Sequence, residues 1–178
     1  GCGSSQPAQS SKPAEASKPT VSADAAKTVT LKLGHVVDDN HVWHKAALKF
    51  GEIVAQKTNG TVKIQVFSNS QIGNDRDMAE GMQMGSVDMA LIAGVLGNFY
   101  DGIQLLEMPY LFESQDHLKK VIYGPVGDEI KQELQKKAGI VGLEFWERGP
   151  RQLTTSKPIN SIQDIQGLKI RVPEIPPM

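Results

Sequence analysis

At 178 residues, 39% hydrophobic and 22% charged, the chain has the apolar content of a globular protein and the length to bury one sizeable core. Its net charge is −1 at pH 7, and Lys and Arg are scattered without a basic block or a basic–aromatic alternation, so the pattern offers nothing to nucleic acid or to an electrostatic membrane surface. No run approaches the roughly 18 consecutive apolar residues of a membrane span, and a single cysteine, Cys2, excludes an internal disulfide framework.

The first 28 residues are rich in Ser, Ala and Pro; the two Trp, three Tyr and five Phe of the chain all follow, from Trp43 onward. Such a segment cannot bury enough apolar surface to offset the entropy of ordering, so 1–28 is expected as a flexible tether ahead of a folded region spanning 29–178. Cys2, behind Gly1 and ahead of a Ser-rich stretch, resembles the start of a bacterial lipoprotein after its signal peptide has been removed. That resemblance implies an acylated thiol, each buried CH₂ contributing about 0.8 kcal/mol, and an extracytoplasmic, membrane-anchored location. The alternative is an unmodified thiol.

From Val29 the residues Val29, Leu31 and Leu33 alternate with Thr30 and Lys32, which predicts a strand with one buried face. A polar stretch follows. Trp43, Ala46, Ala47, Phe50, Ile53 and Val54 then recur at helical spacing up to Thr58-Asn59-Gly60. Val62, Ile64 and Val66 predict a second strand; Asp75 is placed to cap a helix that turns Met78, Ala79 and Met82 inward and stops near Gly85; 87–93 reads as a third strand. Units of β-α-β-α-β in this length favour a parallel sheet with right-handed crossovers, hence an α/β fold. Beyond it, Leu105 to Phe112 is apolar around Pro109. Ser114 caps a short helix through Ile122, and Pro125 starts another with Val126, Ile130 and Leu134 inward, ending at Gly139. A strand is expected over 140–146, a helical turn near 161–166 and a last strand over 168–172. The closing PEIPPM reads as a connector, so the chain is expected to be truncated at its C-terminus.

The sequence has no Walker A loop, no G-x-S-x-G elbow, no H-E-x-x-H and no G-x-G-x-x-G after the first strand, which removes the commonest routes to an enzyme or a cofactor site. His35, His41 and His44 are three imidazoles within ten residues and are candidate zinc ligands, although their spacing matches no defined set. The alternative is a hydrated loop leading into a helix, with His44 on the helix surface.

Three stretches in order, FSNSQIGNDRDMAEGMQMGSVDMAL, LLEMPYLF and GPRQLTTSKPINSIQDIQGLKIRVP, resemble the extracytoplasmic solute receptors of tripartite ATP-independent periplasmic (TRAP) transporters. The resemblance runs from Val29 to Met178. It implies the first lobe of a two-lobed periplasmic-binding-protein clamshell, with the second lobe largely missing. It further implies a small-carboxylate ligand, TRAP membrane subunits as partners, no cofactor, no enzymatic activity and a monomer. In that family the arginine matching Arg171 holds the substrate carboxylate, a task for which a guanidinium fork is suited and a lysine is not. Leu168, Ile170 and Val172 would fall on one strand face, Lys169 and Arg171 on the other. Arg151 matches a second ligand arginine, its alternative being an ion pair with Glu147 or Asp164. Asn74 and Asp75 stand at the end of the second strand, where open sheets bind ligands, although Asp75 is equally a helix cap. The 35–40 segment with His35, and Ala93 with Gly94, occupy equivalent strand ends. Two rivals remain: a metal-receptor lipoprotein using His35, His41 and His44, and a secreted α/β enzyme that positions an anionic substrate with Arg171 and Arg151.

Overall fold

A computed structural model describes Gly1, Gly3, residues 27–150 and residues 152–172. Cys2, most of the expected tether and Arg151 lie outside the described residues. Three strands, β1 (Val29–Gly34), β2 (Val62–Phe67) and β3 (Met89–Ala90), form a parallel sheet in the order β2-β1-β3. Val29 pairs with Val62 and Gly34 with Phe67 along the first ladder; Leu33 pairs with Met89 and Gly34 with Ala90 along the second. The alternation of apolar and polar residues in β1 and β2 is what permits such one-faced packing.

Helix α1 (Val42–Lys57) crosses from β1 to β2 and packs on β2, where Gly51 allows close approach to Ile64. Its N-cap is His41, whose Nδ1 accepts the Trp43 N–H at 3.1 Å. Helix α2 (Asp75–Met84) crosses from β2 to β3. Asn74, not the expected Asp75, is its cap: the Asn74 side chain accepts the N–H groups of Arg76 and Asp77, and the Asp77 carboxylate accepts that of Asn74. This reciprocal capping box satisfies donors that the first helical turn leaves without partners. Gly85 ends α2 at φ 76°, a left-handed conformation open to glycine at little cost.

Beyond the sheet come two 3-10 segments, Gly94–Asn98 and Asp101–Glu107, then helices α3 (Gln115–Ile122) and α4 (Pro125–Ala138). Ser114 caps α3 by accepting the His117 N–H at 3.1 Å, and Pro125 opens α4, both as expected. The buried cluster joins Ala79 of α2 to Leu134 and Ala138 of α4 and to Ile140, with Met82, Ile92, Leu96, Phe99 and Tyr100 against it. Gln83 Nε2 donates to the Ala138 carbonyl at 2.8 Å across the same contact.

Four further expectations are corrected. The third strand shortens from 87–93 to two residues: at its start the Asp88 carboxylate, at 2.8 Å from the Lys32 N–H, takes the ladder position, and at its end β1 stops at Gly34, opposite Ala90. Val126 is 41% exposed because the buried stripe of α4 runs through Gly127, Ile130, Leu134 and Ala138 and leaves it about 100° off the core. Residues 140–146 and 168–172 form no strand. A strand exists only through a ladder partner, and among the described residues neither segment has one. Side chains hold 140–147 instead: Trp43 Nε1 donates to the Glu147 carbonyl at 3.1 Å, Tyr123 Oη to that of Phe145 at 3.3 Å, and Lys131 Nζ stands 5.1 Å from the Phe145 ring centre. The helical turn forms at Ile162–Ile165 with Ser161 and Asp164 as a capping box.

Candidate functional site

Because the three strands are parallel, their C-terminal ends at Gly34, Phe67 and Ala90 share one edge, and the loops that follow gather there. The first two loops are fastened together. His35 N–H donates to the Phe67 carbonyl at 2.9 Å, Ser70 N–H to the His35 carbonyl at 3.2 Å and Asn69 N–H to that of Val37 at 3.0 Å. Asn69 Nδ2 also reaches the Asp39 carboxylate at 3.3 Å.

Asp75, the first residue of α2, faces the loop after β3. Its Oδ1 is buried without a hydrogen-bond partner. Burial pushes its carboxyl up to about 6, against the opposing pull of the Ala93 backbone N–H and the Arg148 guanidinium. One residue on, the Gly94 N–H donates to Glu107 Oε1 at 3.1 Å, and Arg148 Nη2 lies 3.8 Å from Glu107 Oε2. The structure therefore brings together Asp75, Ala93 and Gly94, as expected from their strand-end positions. It adds Glu107 and Arg148, which sequence reasoning missed. The signals were an acid inside the apolar run LLEMPYLF and the arginine of ERGPR just ahead of the family-matched loop.

Arg171 is exposed on the unpaired 168–172 segment and lines a broad open groove with Arg148, Gln152, Thr154 and Lys169. Arg171 and Arg148 thus share one groove. Asn74 is exposed and its side-chain oxygen is engaged in capping α2. His35 presents no surface, being 0% exposed, so it shapes the edge through its loop and not through its ring.

The three histidines do not converge. His41 turns its Nδ1 to the helix cap and stacks edge-on against Trp43 at 5.4 Å, while His44, expected on the helix surface, instead meets His35 with their ring nitrogens 3.0 Å apart. Among the described residues no group of three or more His, Cys, Asp or Glu side chains is placed to hold a metal ion.

Charged loops gathered at the carboxyl edge of a parallel sheet, with a carboxyl–guanidinium cluster beside an open groove, define an α/β lobe of the ligand-binding kind. The chain belongs to the bacterial extracellular solute-binding proteins of family 7, whose family model matches residues 33–177. A solute-binding protein of Roseobacter denitrificans is 41% identical over 155 residues, covering 87% of this chain and 48% of the relative. The 2,3-diketo-L-gulonate-binding periplasmic protein YiaO of Escherichia coli is 32% identical over 160 residues, again 87% of this chain and 48% of the relative. Among solved structures, a TRAP periplasmic solute-binding protein of Roseobacter denitrificans with bound L-galactonate superposes at a TM-score of 0.81 with 40% identity, over 85% of this chain and 51% of that one. Another, from Citrobacter koseri with bound D-glucuronate, gives 0.80 and 30%, over 84% of this chain and 51% of that one. The chain spans about half the length of the curated relatives it matches.

Proposed function

We propose that this chain supplies one lobe of an extracytoplasmic receptor that binds a small sugar acid and delivers it to a TRAP membrane permease, without catalysing a reaction. The observation that carries this reading is the shared fold, at 40% identity, with a receptor that holds L-galactonate. Relatives holding D-glucuronate, β-D-galacturonate and D-erythronate support the sugar-acid class, while C4-dicarboxylate-binding relatives at 33% and 32% identity keep a dicarboxylate as the second candidate.

In this reading Arg171 grips the ligand carboxylate through parallel N–H donors, and Arg151 adds a second cation. The buried Asp75 Oδ1, free of protein donors, accepts a ligand hydroxyl. Arg148 and Glu107 hold the loop at Gly94 in place beside it. The apolar side chains of Leu168, Ile170 and Val172, all substantially exposed, would be covered by a second lobe of the intact receptor. We further propose that residues 1–28 form a tether and that Cys2 carries a lipid anchor. Labelling with a lipid analogue should then mark the native protein, and Cys2→Ala should release it from membranes.

Calorimetry and thermal shift on the intact protein test the ligand class. L-galactonate, D-glucuronate and succinate are compared with galactose and with zinc, since specific binding raises stability by mass action. Sugar acids should bind and galactose should not. Equal binding of galactose, or binding of zinc alone, would overturn the reading in favour of a neutral-sugar or metal receptor.

A further inference from the structure

Two imidazoles meet where α1 docks on the end of β1. His35 follows the last residue of β1 and is wholly buried, and its Nε2 lies 3.0 Å from Nδ1 of His44 in the first turn of α1. The rings stand edge to face, 5.1 Å between centres at 68°. A hydrogen bond between two ring nitrogens requires that one carry a proton and the other not. Whichever nitrogen donates, His35 Nδ1 is buried and has no hydrogen-bond partner of good geometry, the Val37 backbone acting on the ring only weakly.

The surroundings disfavour charge on His35. Burial and the neighbouring His44 ring hold it below the ordinary imidazole range, helped by His41, while the Val37 backbone and the Asp39 carboxylate act in the opposite sense. The segment that packs on it from the end of β2 brings only the uncharged Ser68, Asn69 and Ser70.

We propose that His35 and His44 form a proton-counting clamp: neutral or with one added proton, the shared hydrogen bond fastens the first turn of α1 to the end of β1, and a second added proton breaks it and loosens the 35–41 loop. With both rings charged, each facing nitrogen bears an N–H, so neither can accept and two cations confront each other. The loop so released is the one tied to residues 69 and 70 through the His35 and Val37 carbonyls and Asp39, at the carboxyl edge of the sheet. The clamp stands on the histidine geometry and does not depend on the sugar-acid reading.

Side-chain ¹⁵N NMR of the intact protein between pH 8 and 4.5, combined with amide-exchange protection factors, tests it. At pH 8 one facing nitrogen should be protonated and the other bare, and the two rings should titrate in separate steps belonging to the pair. Protection in 35–41 should fall by about tenfold in the second step only, the loss expected for one buried hydrogen bond, with α4 unchanged. Independent titration of both rings in one ordinary step near 6.5 would overturn the clamp. So would a loop whose protection ignores the second step, or simultaneous loss of protection in α4. His44→Ala should abolish the acid-dependent step in loop protection, and its persistence there would also count against the proposal. Should that variant fold poorly, the titration of the unaltered protein still decides the matter.

Discussion

Met78 of α2 lies so close to Gly34 of β1 that a Cβ at position 34 would stand 2.5 Å from the Met78 sulfur, with Ile72 Cδ1 at 2.6 Å. Met78 is fully buried and has little room to withdraw. Gly34→Ala should therefore destabilise the fold by about 1–2 kcal/mol through overpacking. Urea unfolding measures this, and in a Met78→Ala background the penalty should shrink, because residues in contact couple. An equal penalty in both backgrounds would place the strain elsewhere.

The α2 capping box gives a second expectation. Asn74→Ala removes the acceptor for the Arg76 and Asp77 N–H groups and should cost about 1 kcal/mol in melting experiments, whereas Asn74→Ser should retain most of the stability. If the two variants melt alike, the cap contributes little.

Asp75 sets a pH dependence of unusual sign. Its carboxyl is pushed from 3.8 up to about 6 by burial, so between these values the folded chain holds a proton that the unfolded chain has lost. Its contribution to stability is most favourable below pH 3.8, declines as pH rises, and reaches its full penalty above about 6. Allowing for partial solvent screening, Asp75→Asn should stabilise the protein by about 1–2 kcal/mol at pH 8 and by almost nothing at pH 3.5. A gain that is constant across this range would show that the charge is not its cause.

Arg171 tests the ligand reading. In the intact protein, Arg171→Lys keeps the charge but loses the planar fork, and should weaken sugar-acid binding by about 2–5 kcal/mol by calorimetry. Lys169→Ala, in the same groove, should cost little. Binding within a few-fold of the unaltered protein by the Lys variant would remove Arg171 as the bidentate anchor.

What the sequence revealed and what it hid divide along a physical line. Val29–Gly34, α1, β2, α2, α3 and α4 were readable because their signals are local: alternation, helical spacing, and caps such as Ser114 and Gly85. The misplaced cap at Asp75 was an error of one residue between two good capping types, Asn and Asp, and local pattern cannot arbitrate that. The 140–146 and 168–172 segments have the right alternation for strands, but a strand is defined by its neighbour, and alternation does not supply one. That Asp75, Ala93 and Gly94 meet at one sheet edge was legible from their positions at strand ends. Glu107 and Arg148 reach that edge from well beyond the sheet, by contacts that no local spacing encodes. The His35–His44 pairing was hidden for the same reason: nine residues apart, the rings meet only once α1 folds back on β1.

The unpaired 140–146 and 168–172 segments bear on how such a protein is born. The sheet, α1, α2 and α4 draw on contacts made within residues 29–140, so this part has its core partners as soon as it has left the ribosome. The two later segments have no ladder partner among the described residues, and they carry exposed Val141, Leu143, Ile170 and Val172. Unpaired, alternating apolar stretches of this kind are surfaces through which nascent chains pair with one another. Holding by a chaperone would be needed most for these two stretches, and a nascent chain stalled with both of them emerged should aggregate more than one stalled before position 140.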